Sequence, residues 1–210
     1  MSREAKVSGN AGVVLVVEDD PSLRAALSSL IRSVGLQVEV FGSVSQFLAH
    51  GSPPANSCLL LDVQLPDGSG LEVQRALAAS GARTPIIFMT GHGDIRMSVR
   101  AIKAGAVDFL PKPFLEDDLL RAIGDALGRA RSWLREEEET HALRELAALL
   151  TRREKQVMQG IVRGRLNKQV AADLGVSELT VKVHRRRVMR KMGAASLAEL
   201  VRMADRLWVS

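Results

Sequence analysis

The sequence is poor in the residues that would suggest several common kinds of site. Its 210 residues include a single cysteine, Cys58, no tyrosine and only 3% aromatic residues. Because Cys58 lies within an apolar run, a small buried side chain is the simplest interpretation of it. No apolar stretch approaches the ~20 residues of a membrane span, and the start of the chain is too polar for a signal peptide. We therefore expect a cytoplasmic protein without a membrane domain or a disulfide framework.

Charge is distributed unevenly along the chain. Residues 149–210 contain 14 Lys and Arg against 5 Asp and Glu, a net of +9, whereas residues 1–148 contain 15 against 19, a net of −4. The overall hydrophobic content of 46% is enough for one or two globular cores. A small, strongly basic domain is typical of nucleic-acid binding, so the composition predicts a nucleic-acid-binding C-terminal domain.

Four segments in the first half are predicted to be strands of a parallel sheet. Three are apolar runs, at residues 13–17, 58–61 and 86–89, and the fourth is Val107-Asp-Phe-Leu110; each is followed within two residues by a polar side chain. Continuous apolar runs are typical of strands buried on both faces. The segments between them have helical spacing, with helices predicted over 21–34, 43–50, 71–79 and 94–104 and a last helix from Glu116. With a further short strand at 37–41, this alternation predicts a doubly wound α/β fold.

The residues at the ends of these strands have chemistry in common. In an open parallel sheet the carboxyl ends of the strands form the edge where ligands bind. Glu18, Asp19 and Asp62 would meet there, together with Thr90 and Lys112. Three carboxylates so close together need a counter-charge, and hard oxygen ligands suit Mg²⁺. A carboxylate nucleophile beside a metal makes an aspartyl phosphate on Asp62 chemically reasonable.

The order and spacing of these residues resemble the receiver domain of bacterial two-component response regulators. The motifs are the acidic residues after the first strand, Asp62 followed by Leu65-Pro66 and Gly68, Thr90-Gly91, and Lys112-Pro113-Phe114. The resemblance implies a (βα)5 receiver over residues 12–125, after a disordered start at 1–11. It also implies phosphorylation of Asp62 by a sensor histidine kinase, with Mg²⁺ held by Glu18, Asp19, Asp62 and the backbone carbonyl of Gln64. Thr90 and Lys112 would contact the phosphoryl group, Phe109 would be the switch residue, and a cis peptide would precede Pro113.

Residues 126–148 are predicted to form a helical linker. Apolar residues recur at helical spacing from Leu119 to Leu149 without a proline, which favours one long helix leaving the receiver. The acidic run 136–139 is interpreted as a solvated face of this helix. A hinge at Gly124 or Gly128 is the alternative.

The basic segment 149–210 has the pattern of a helix-turn-helix domain. Thr151 and Glu154 form a capping box before one helix, Asn167 is predicted to cap a short second helix, and Ser177 a third over 178–192. On the third helix, the apolar residues Val181, Val188 and Met192 share a face opposite one that is rich in Lys and Arg. Such a basic face is typical of a recognition helix in the major groove, although it could also be a solvated surface.

This segment resembles the four-helix DNA-binding domain of the LuxR type. The match includes Leu150-Thr-Arg-Arg-Glu, Leu174-Gly175, Thr180-Val-Lys-Val-His184 and Arg190-Lys-Met192. The resemblance implies base contacts from Lys182, Val183 and Arg186, and phosphate contacts from Lys168, Thr180 and Arg190. It also implies dimerisation through Leu197, Leu200 and Val201.

Together the two resemblances indicate a response regulator of the NarL/FixJ type. The function they imply is a transcription regulator, of the activator kind, in which phosphorylation promotes dimerisation and binding to a double-stranded operator with inverted or direct half-sites. RNA polymerase would be a further partner. Two alternatives share the acidic site: a phosphatase of the haloacid dehalogenase type, and a receiver-like domain that no longer takes phosphate. Gln64, where such a phosphatase has a second Asp, cannot transfer protons, so we expect no enzyme activity on outside substrates.

Overall fold

A computed structural model gives the structure of the chain and describes residues 12–91 and 107–208. The chain divides into two units, one ending at Leu134 and the other beginning at Arg135. The predicted disordered start at 1–11 and the predicted helix at 94–104 lie outside the described residues. No helix among the described residues is long and apolar enough to cross a membrane.

Seven strands are present in the described part of the first unit. They are β1 Val13–Val17, β2 Gln37–Phe41, β3 Ser57–Asp62, β4 Gln64–Leu65, β5 Gly68–Ser69, β6 Ile86–Gly91 and β7 Asp108–Lys112. Five of them form one parallel sheet in the order β2-β1-β3-β6-β7, whereas β4 and β5 form a separate antiparallel hairpin. The doubly wound parallel sheet predicted from the sequence is confirmed, but the hairpin after Asp62 was not predicted.

The three central strands are buried along almost their whole length. Every residue of β3 is buried, as are the last four of β1 and the first five of β6. Helices joining parallel strands cover both faces of a sheet, so its central strands cannot alternate between apolar and polar residues. One apolar core lies on each face, the first containing Ile31 and Ile123 and the second Phe47 and Phe88.

Three helices join these strands in the described part of the unit, and each begins at a polar side chain. They are α1 Pro21–Ser33, α2 Val44–His50 and α3 Gly70–Ala79. The side chains of Asp20 and Ser43 accept hydrogen bonds from free backbone N–H groups at the starts of α1 and α2. Ser69 and Glu72 form a capping box at the start of α3.

A single helix, α4 Glu116–Ala148, runs from the first unit into the second. It continues through Gly124 and Gly128, so the prediction of one long helix is confirmed and a helix break at these glycines is not seen. Ala126 and Leu127, at the start of the predicted linker, are buried in the core of the first unit. Leu143, near the other end of α4, is buried in the core of the second unit.

The second unit contains four more helices among its described residues, as predicted. They are α5 Arg152–Val162, α6 Asn167–Leu174, α7 Glu178–Met192 and α8 Leu197–Trp208. The predicted capping box of Thr151 and Glu154 and the cap by Ser177 are both present. Gly175 and Gly193 end α6 and α7 with positive φ angles of 63° and 68°, a backbone conformation that favours glycine.

The predicted cap by Asn167 is wrong by one residue. Leu166 is the residue that precedes α6, and its N–H donates to Oε1 of Gln169 at 2.8 Å. Asn167 is the first residue inside the helix. Its Oδ1 instead accepts a hydrogen bond from Arg185 of α7 at 3.4 Å, so its side chain joins the two helices of the helix-turn-helix.

Candidate functional site

Asp62 is the last residue of β3, at the carboxyl edge of the sheet. Its Oδ1 accepts a hydrogen bond from the N–H of Gln64 at 2.9 Å, and the residue is only 6% exposed. The start of α3 packs closely behind it, because a Cβ added at Gly70 would lie 2.5 Å from the carbonyl oxygen of Asp62. A side chain at position 70 would therefore displace the strand end that bears the carboxylate.

Glu18 and Asp19 follow the end of β1, the strand beside β3 in the sheet. Glu18 is 1% exposed and Asp19 is exposed to solvent. Three carboxylate oxygens, one each from Glu18, Asp19 and Asp62, all lie within 4.8 Å of one another. The next acidic residue, Asp20, has a different role, because its Oδ1 accepts the N–H of Ser22 at 2.8 Å at the start of α1.

Lys112, the last residue of β7, brings a positive charge to this cluster. Its Nζ lies 2.5 Å from Oδ2 of Asp62 and 2.7 Å from Oε2 of Glu18. The peptide bond between Lys112 and Pro113 is cis. Burial raises the pKa of Glu18, although Lys112 counteracts it. Burial alone would lower the pKa of Lys112, but the hydrogen bonds to Asp62 and Glu18 raise it overall, so the ammonium is retained.

The donor set of this cluster fits a hard divalent cation. Three carboxylates contribute more negative charge than the one ammonium neutralises, and Mg²⁺ prefers oxygen ligands together with several waters. Asp19 is exposed, so part of the cluster is open to solvent. Glu18, Asp19 and Asp62 could hold the metal, as the sequence predicts; a contribution from the Gln64 carbonyl stays a prediction.

Thr90 is on β6, the strand beside β3, and Phe109 is on β7, the next strand in the sheet. Thr90 is 4% exposed, and its hydroxyl donates to the carbonyl oxygen of Gly91 at 3.0 Å. Phe109 is half-buried against the second core. Both lie close to the carboxyl edge, because Asp62 pairs with Met89 and Thr90 pairs with Pro111. Their roles in phosphoryl contact and switching stay predictions.

Two side chains that contact backbone atoms, one of them at the acidic cluster, were missed from the sequence. Arg24 of α1 donates through Nη1 to the carbonyl oxygens of Glu18 at 2.7 Å and of Asp19 at 3.2 Å. Asp67, in the hairpin after Asp62, accepts the N–H groups of Val44 at 3.0 Å and Ser45 at 2.9 Å. These hydrogen bonds lower the pKa of Asp67. Both side chains recognise backbone atoms, which leave no motif in the sequence.

Cys58 has the structural role predicted for it. It is fully buried in β3, and burial raises the pKa of its thiol to about 12. A thiol with such a pKa is protonated at neutral pH, and the thiolate is the reactive form.

Helix α7, which is predicted to be the recognition helix, presents the predicted buried and exposed faces. Val181, Val188 and Met192 are fully buried in the core of the second unit, whereas Lys182, Val183, Arg186 and Arg190 are exposed on the opposite face. Lys168 on α6 is also exposed, and Thr180 is half-buried. Nζ of Lys182 lies 3.1 Å from Oε1 of Glu178, one turn earlier. The domain therefore brings the predicted base-contacting residues together on one face.

A buried ion pair ties α7 to the start of α5. Nζ of Lys191 lies 2.6 Å from Oε2 of Glu154 and 3.0 Å from the carbonyl oxygen of Leu149. The hydrogen bond from Lys191 lowers the pKa of Glu154 to about 2 although the carboxylate is buried. Glu154 also completes the capping box of α5. The sequence shows the capping box but not the lysine, which lies 37 residues later.

The predicted dimerisation face of α8 needs one correction. Leu200 is fully buried in the core of its own unit, so its side chain is covered by its own domain and does not face a partner. Leu197 is 38% exposed and Val201 is half-buried. The prediction of a dimer contact on α8 therefore rests on Leu197 and Val201.

Comparisons with known proteins agree with both halves of this description. A family model described as "Response regulator receiver domain" matches residues 14–124, and one described as "Bacterial regulatory proteins, luxR family" matches residues 148–204. The chain is 50% identical to the response regulator protein TodT of Pseudomonas putida over 201 residues, which cover 96% of this chain and 88% of TodT. It is 52% identical to nodulation protein W of Bradyrhizobium diazoefficiens over 199 residues, which cover 94% and 87%.

Solved structures show the same architecture. A low-resolution structure of the response regulator StyR superposes with a TM-score of 0.80 at 46% identity, covering 93% of this chain and 99% of that one. A structure of full-length FixJ from B. japonicum has a TM-score of 0.57 at 38% identity and covers 95% and 98%. The chain therefore belongs to the two-component response regulators of the NarL/FixJ type, which join a receiver domain to a LuxR-type DNA-binding domain.

Proposed function

We propose that this response regulator is a transcription activator controlled by phosphorylation of Asp62. A receiver domain implies a sensor histidine kinase as partner, and a LuxR-type domain implies DNA as the other. The observation that carries the proposal is the position of Asp62 beside two further carboxylates, with Nζ of Lys112 at 2.5 Å from its Oδ2. Both partners of such a regulator are met in the cytoplasm, where we propose that it acts.

The chemistry proposed at Asp62 is a single displacement at phosphorus. A carboxylate oxygen of Asp62 attacks the phosphorus, the bond from phosphorus to the histidine nitrogen of the kinase breaks, and an acyl phosphate forms. Bound Mg²⁺ would supply positive charge for the phosphoryl oxygens. Lys112 would exchange its contact with Asp62 for one with a phosphoryl oxygen, and Glu18 and Asp19 would hold the metal.

The proposed switch starts from the hydroxyl of Thr90. In the described state this hydroxyl donates to the carbonyl oxygen of Gly91, a contact that a new phosphoryl oxygen on Asp62 could replace. The half-buried ring of Phe109 could then move into the space that the hydroxyl vacates. We propose that this rearrangement promotes dimerisation, with Leu197 and Val201 of α8 as part of the contact.

The dimer would bind an operator through two copies of α7. A two-fold or tandem pair of recognition helices fits inverted or direct half-sites, and binding two half-sites through one dimer couples dimerisation to affinity. Lys182, Val183 and Arg186 would contact bases, while Lys168, Thr180 and Arg190 would contact phosphates. RNA polymerase is the proposed partner for activation.

We do not propose catalysis on outside substrates. Gln64, two residues after Asp62, has an amide in place of an acid, and an amide cannot protonate a leaving group. The acyl phosphate is expected to be lost only by slow hydrolysis on the protein itself.

Labelling with acetyl phosphate tests the proposal. The wild-type chain should be phosphorylated only with Mg²⁺, and Asp62→Asn should not be labelled because an amide is a poor nucleophile. Asp67→Asn is the matched control, since it changes a carboxylate of the hairpin after Asp62 that is not part of the cluster. Sedimentation and operator binding of the labelled protein should show a larger dimer fraction and higher affinity together. Labelling of Asp62→Asn at the wild-type level would contradict the site.

A further inference from the structure

The recognition helix α7 exposes two apolar side chains among its cations. Leu179, the second residue of the helix, is 72% exposed, and Val183 is 44% exposed. Residues four apart on a helix lie one turn apart on the same face, with about 5–6 Å between their Cβ atoms. Leu179 and Val183 therefore form one strip, which we call the apolar strip, on the face opposite the buried Val181 and Val188.

The neighbours of the apolar strip identify what it can bind. A single exposed leucine on a protein surface is ordinary. Here the same face also has Lys182 and Arg186, whose charges would be desolvated in an apolar protein contact but suit phosphates and guanine. Lys182 is paired with Glu178 at 3.1 Å, so its ammonium is directed towards the helix start. An apolar strip bordered by cations therefore fits the major groove of DNA.

One base presents an apolar group in that groove. The C5 methyl of thymine is the distinctive apolar feature of the major-groove edges, and neither Leu179 nor Val183 can donate or accept a hydrogen bond there. In helix-turn-helix proteins the N-terminal residues of the recognition helix contact base edges, which is where Leu179 lies. The separation of the two side chains corresponds to about one or two base-pair steps of ~3.4 Å.

We infer that Leu179 is a specificity-determining residue, and that the apolar strip of Leu179 and Val183 reads the methyl groups of two thymines lying within about two base pairs of each other. The inference rests on the proposed function, because it takes α7 as the DNA-reading helix. It adds a residue to the base-contacting set and states what the operator half-site must contain. Each methyl that the strip covers should contribute about 3- to 5-fold to affinity.

The test uses the full-length chain treated with acetyl phosphate and Mg²⁺. A duplex is first selected from a random library by the wild-type protein, and each thymine of its half-site is then replaced by uracil, which removes only the methyl group. The wild type should lose about 3- to 5-fold at two neighbouring positions. Leu179→Ala should bind the thymine duplex less tightly than the wild type does. At one of the two positions, replacing thymine by uracil should then cause this variant no further loss of affinity. Val183→Ala should behave in the same way at the other position.

Leu149→Ala is the matched control. Leu149 is 63% exposed in the same unit, and its carbonyl contacts Lys191 in the last turn of α7, far from Leu179. This variant should keep the full response to uracil at both positions. Equal binding of thymine and uracil duplexes by the wild type would overturn the inference, as would an undiminished uracil effect in Leu179→Ala. If the library yields no preferred sequence, the proposed function itself fails, which is a different result from a selected site without methyl dependence.

Discussion

Replacing Lys112 by methionine should separate the charge of this side chain from its bulk. Methionine keeps most of the aliphatic volume but removes the ammonium that lies 2.7 Å from Glu18 and 2.5 Å from Asp62. These two carboxylates are only 1% and 6% exposed, so they would be left close together and close to Asp19 without a counter-charge. The receiver should therefore be less stable without metal and should bind Mg²⁺ more tightly.

The magnitudes follow from the geometry of the pair. Removing one partner of a buried ion pair costs roughly 3–5 kcal/mol, and we expect the lower end, about 3 kcal/mol, because Lys112 is partly exposed. Unit charges about 4 Å apart interact by about 4 kcal/mol at an effective dielectric constant of 20. The ammonium and a divalent cation at that distance would repel each other by about 8 kcal/mol. If solvent screens about three quarters of this repulsion, Mg²⁺ affinity should rise by roughly 10- to 100-fold.

The dependence on pH has a definite sign. The pKa of Glu18 is raised above its ordinary value of 4.5 by burial, so this carboxyl contributes stability below pH 4.5 that is lost as pH rises through its folded pKa. Lys112 is one of the groups that oppose this rise. In Lys112→Met the pKa of Glu18 should be higher still, and the loss should extend to higher pH. Mg²⁺ should counteract the loss because it binds the ionised carboxylate.

Calorimetric titration with Mg²⁺ and thermal unfolding with and without the metal measure these effects directly. Lys155→Met, which changes an exposed lysine of the other unit, is the control and should behave as the wild type. Phosphorylation of Lys112→Met by acetyl phosphate should be slower despite the tighter metal binding. Unchanged or weaker Mg²⁺ affinity in this variant would refute the view that Lys112 competes with the metal for the same carboxylates.

Three further predictions concern other contacts. Lys191→Met should lower the free energy of unfolding of the second unit by up to about 3 kcal/mol at pH 7 and by much less at pH 3, as measured by denaturant unfolding. The reason is that the depressed pKa of Glu154 gives stability that is present above pH 4.5 and is lost as the pH falls towards 2. Arg24→Lys should weaken Mg²⁺ binding roughly 2- to 10-fold in calorimetry. A lysine ammonium is less suited than the guanidinium of Arg24 to hold the carbonyl oxygens of both Glu18 and Asp19. In binding titrations Arg186→Ala should cost about 1–3 kcal/mol and relax preference at one base pair, whereas Lys168→Ala should weaken all sequences alike and reduce the salt slope by about one.

Much of the receiver could be predicted because burial constrains a parallel sheet so strongly. A strand covered on both faces must be apolar throughout, and an acid is tolerated only where the strand ends, which is where Asp62 lies. The pairing of β3 with its neighbours then determines which other strand ends are close. Three carboxylates and a lysine could therefore be brought together from the sequence alone.

Contacts from side chains to backbone atoms could not be predicted in the same way. Arg24 binds the carbonyl oxygens of Glu18 and Asp19, and any residue type would present those acceptors. Asp67 caps α2 from 22 and 23 residues away along the chain. Such contacts depend on where the loops lie in three dimensions, and the acceptor or donor residue has no required identity.

Helical periodicity also leaves the partner of an apolar face undetermined. The spacing along α4 predicts a helix correctly but does not show that Leu127 packs in one unit and Leu143 in the other. The resemblance to the LuxR-type domain likewise placed Leu200 on a dimer face, but this residue packs inside its own domain. Periodicity shows which residues share a face, and only the packing shows what covers it.

The groups proposed to act in signalling already have internal partners in the described state. Lys112 is paired with Asp62, the hydroxyl of Thr90 donates to Gly91, and Lys182 is paired with Glu178. Each proposed ligand must therefore replace an existing contact, so the net gain is a difference between two interactions. A poorly matched ligand would leave a charge or a hydroxyl without a partner, and this penalty falls most heavily at the buried receiver site. Selectivity for a phosphoryl group with Mg²⁺ should consequently be sharper at Asp62 than base selectivity at the exposed Lys182.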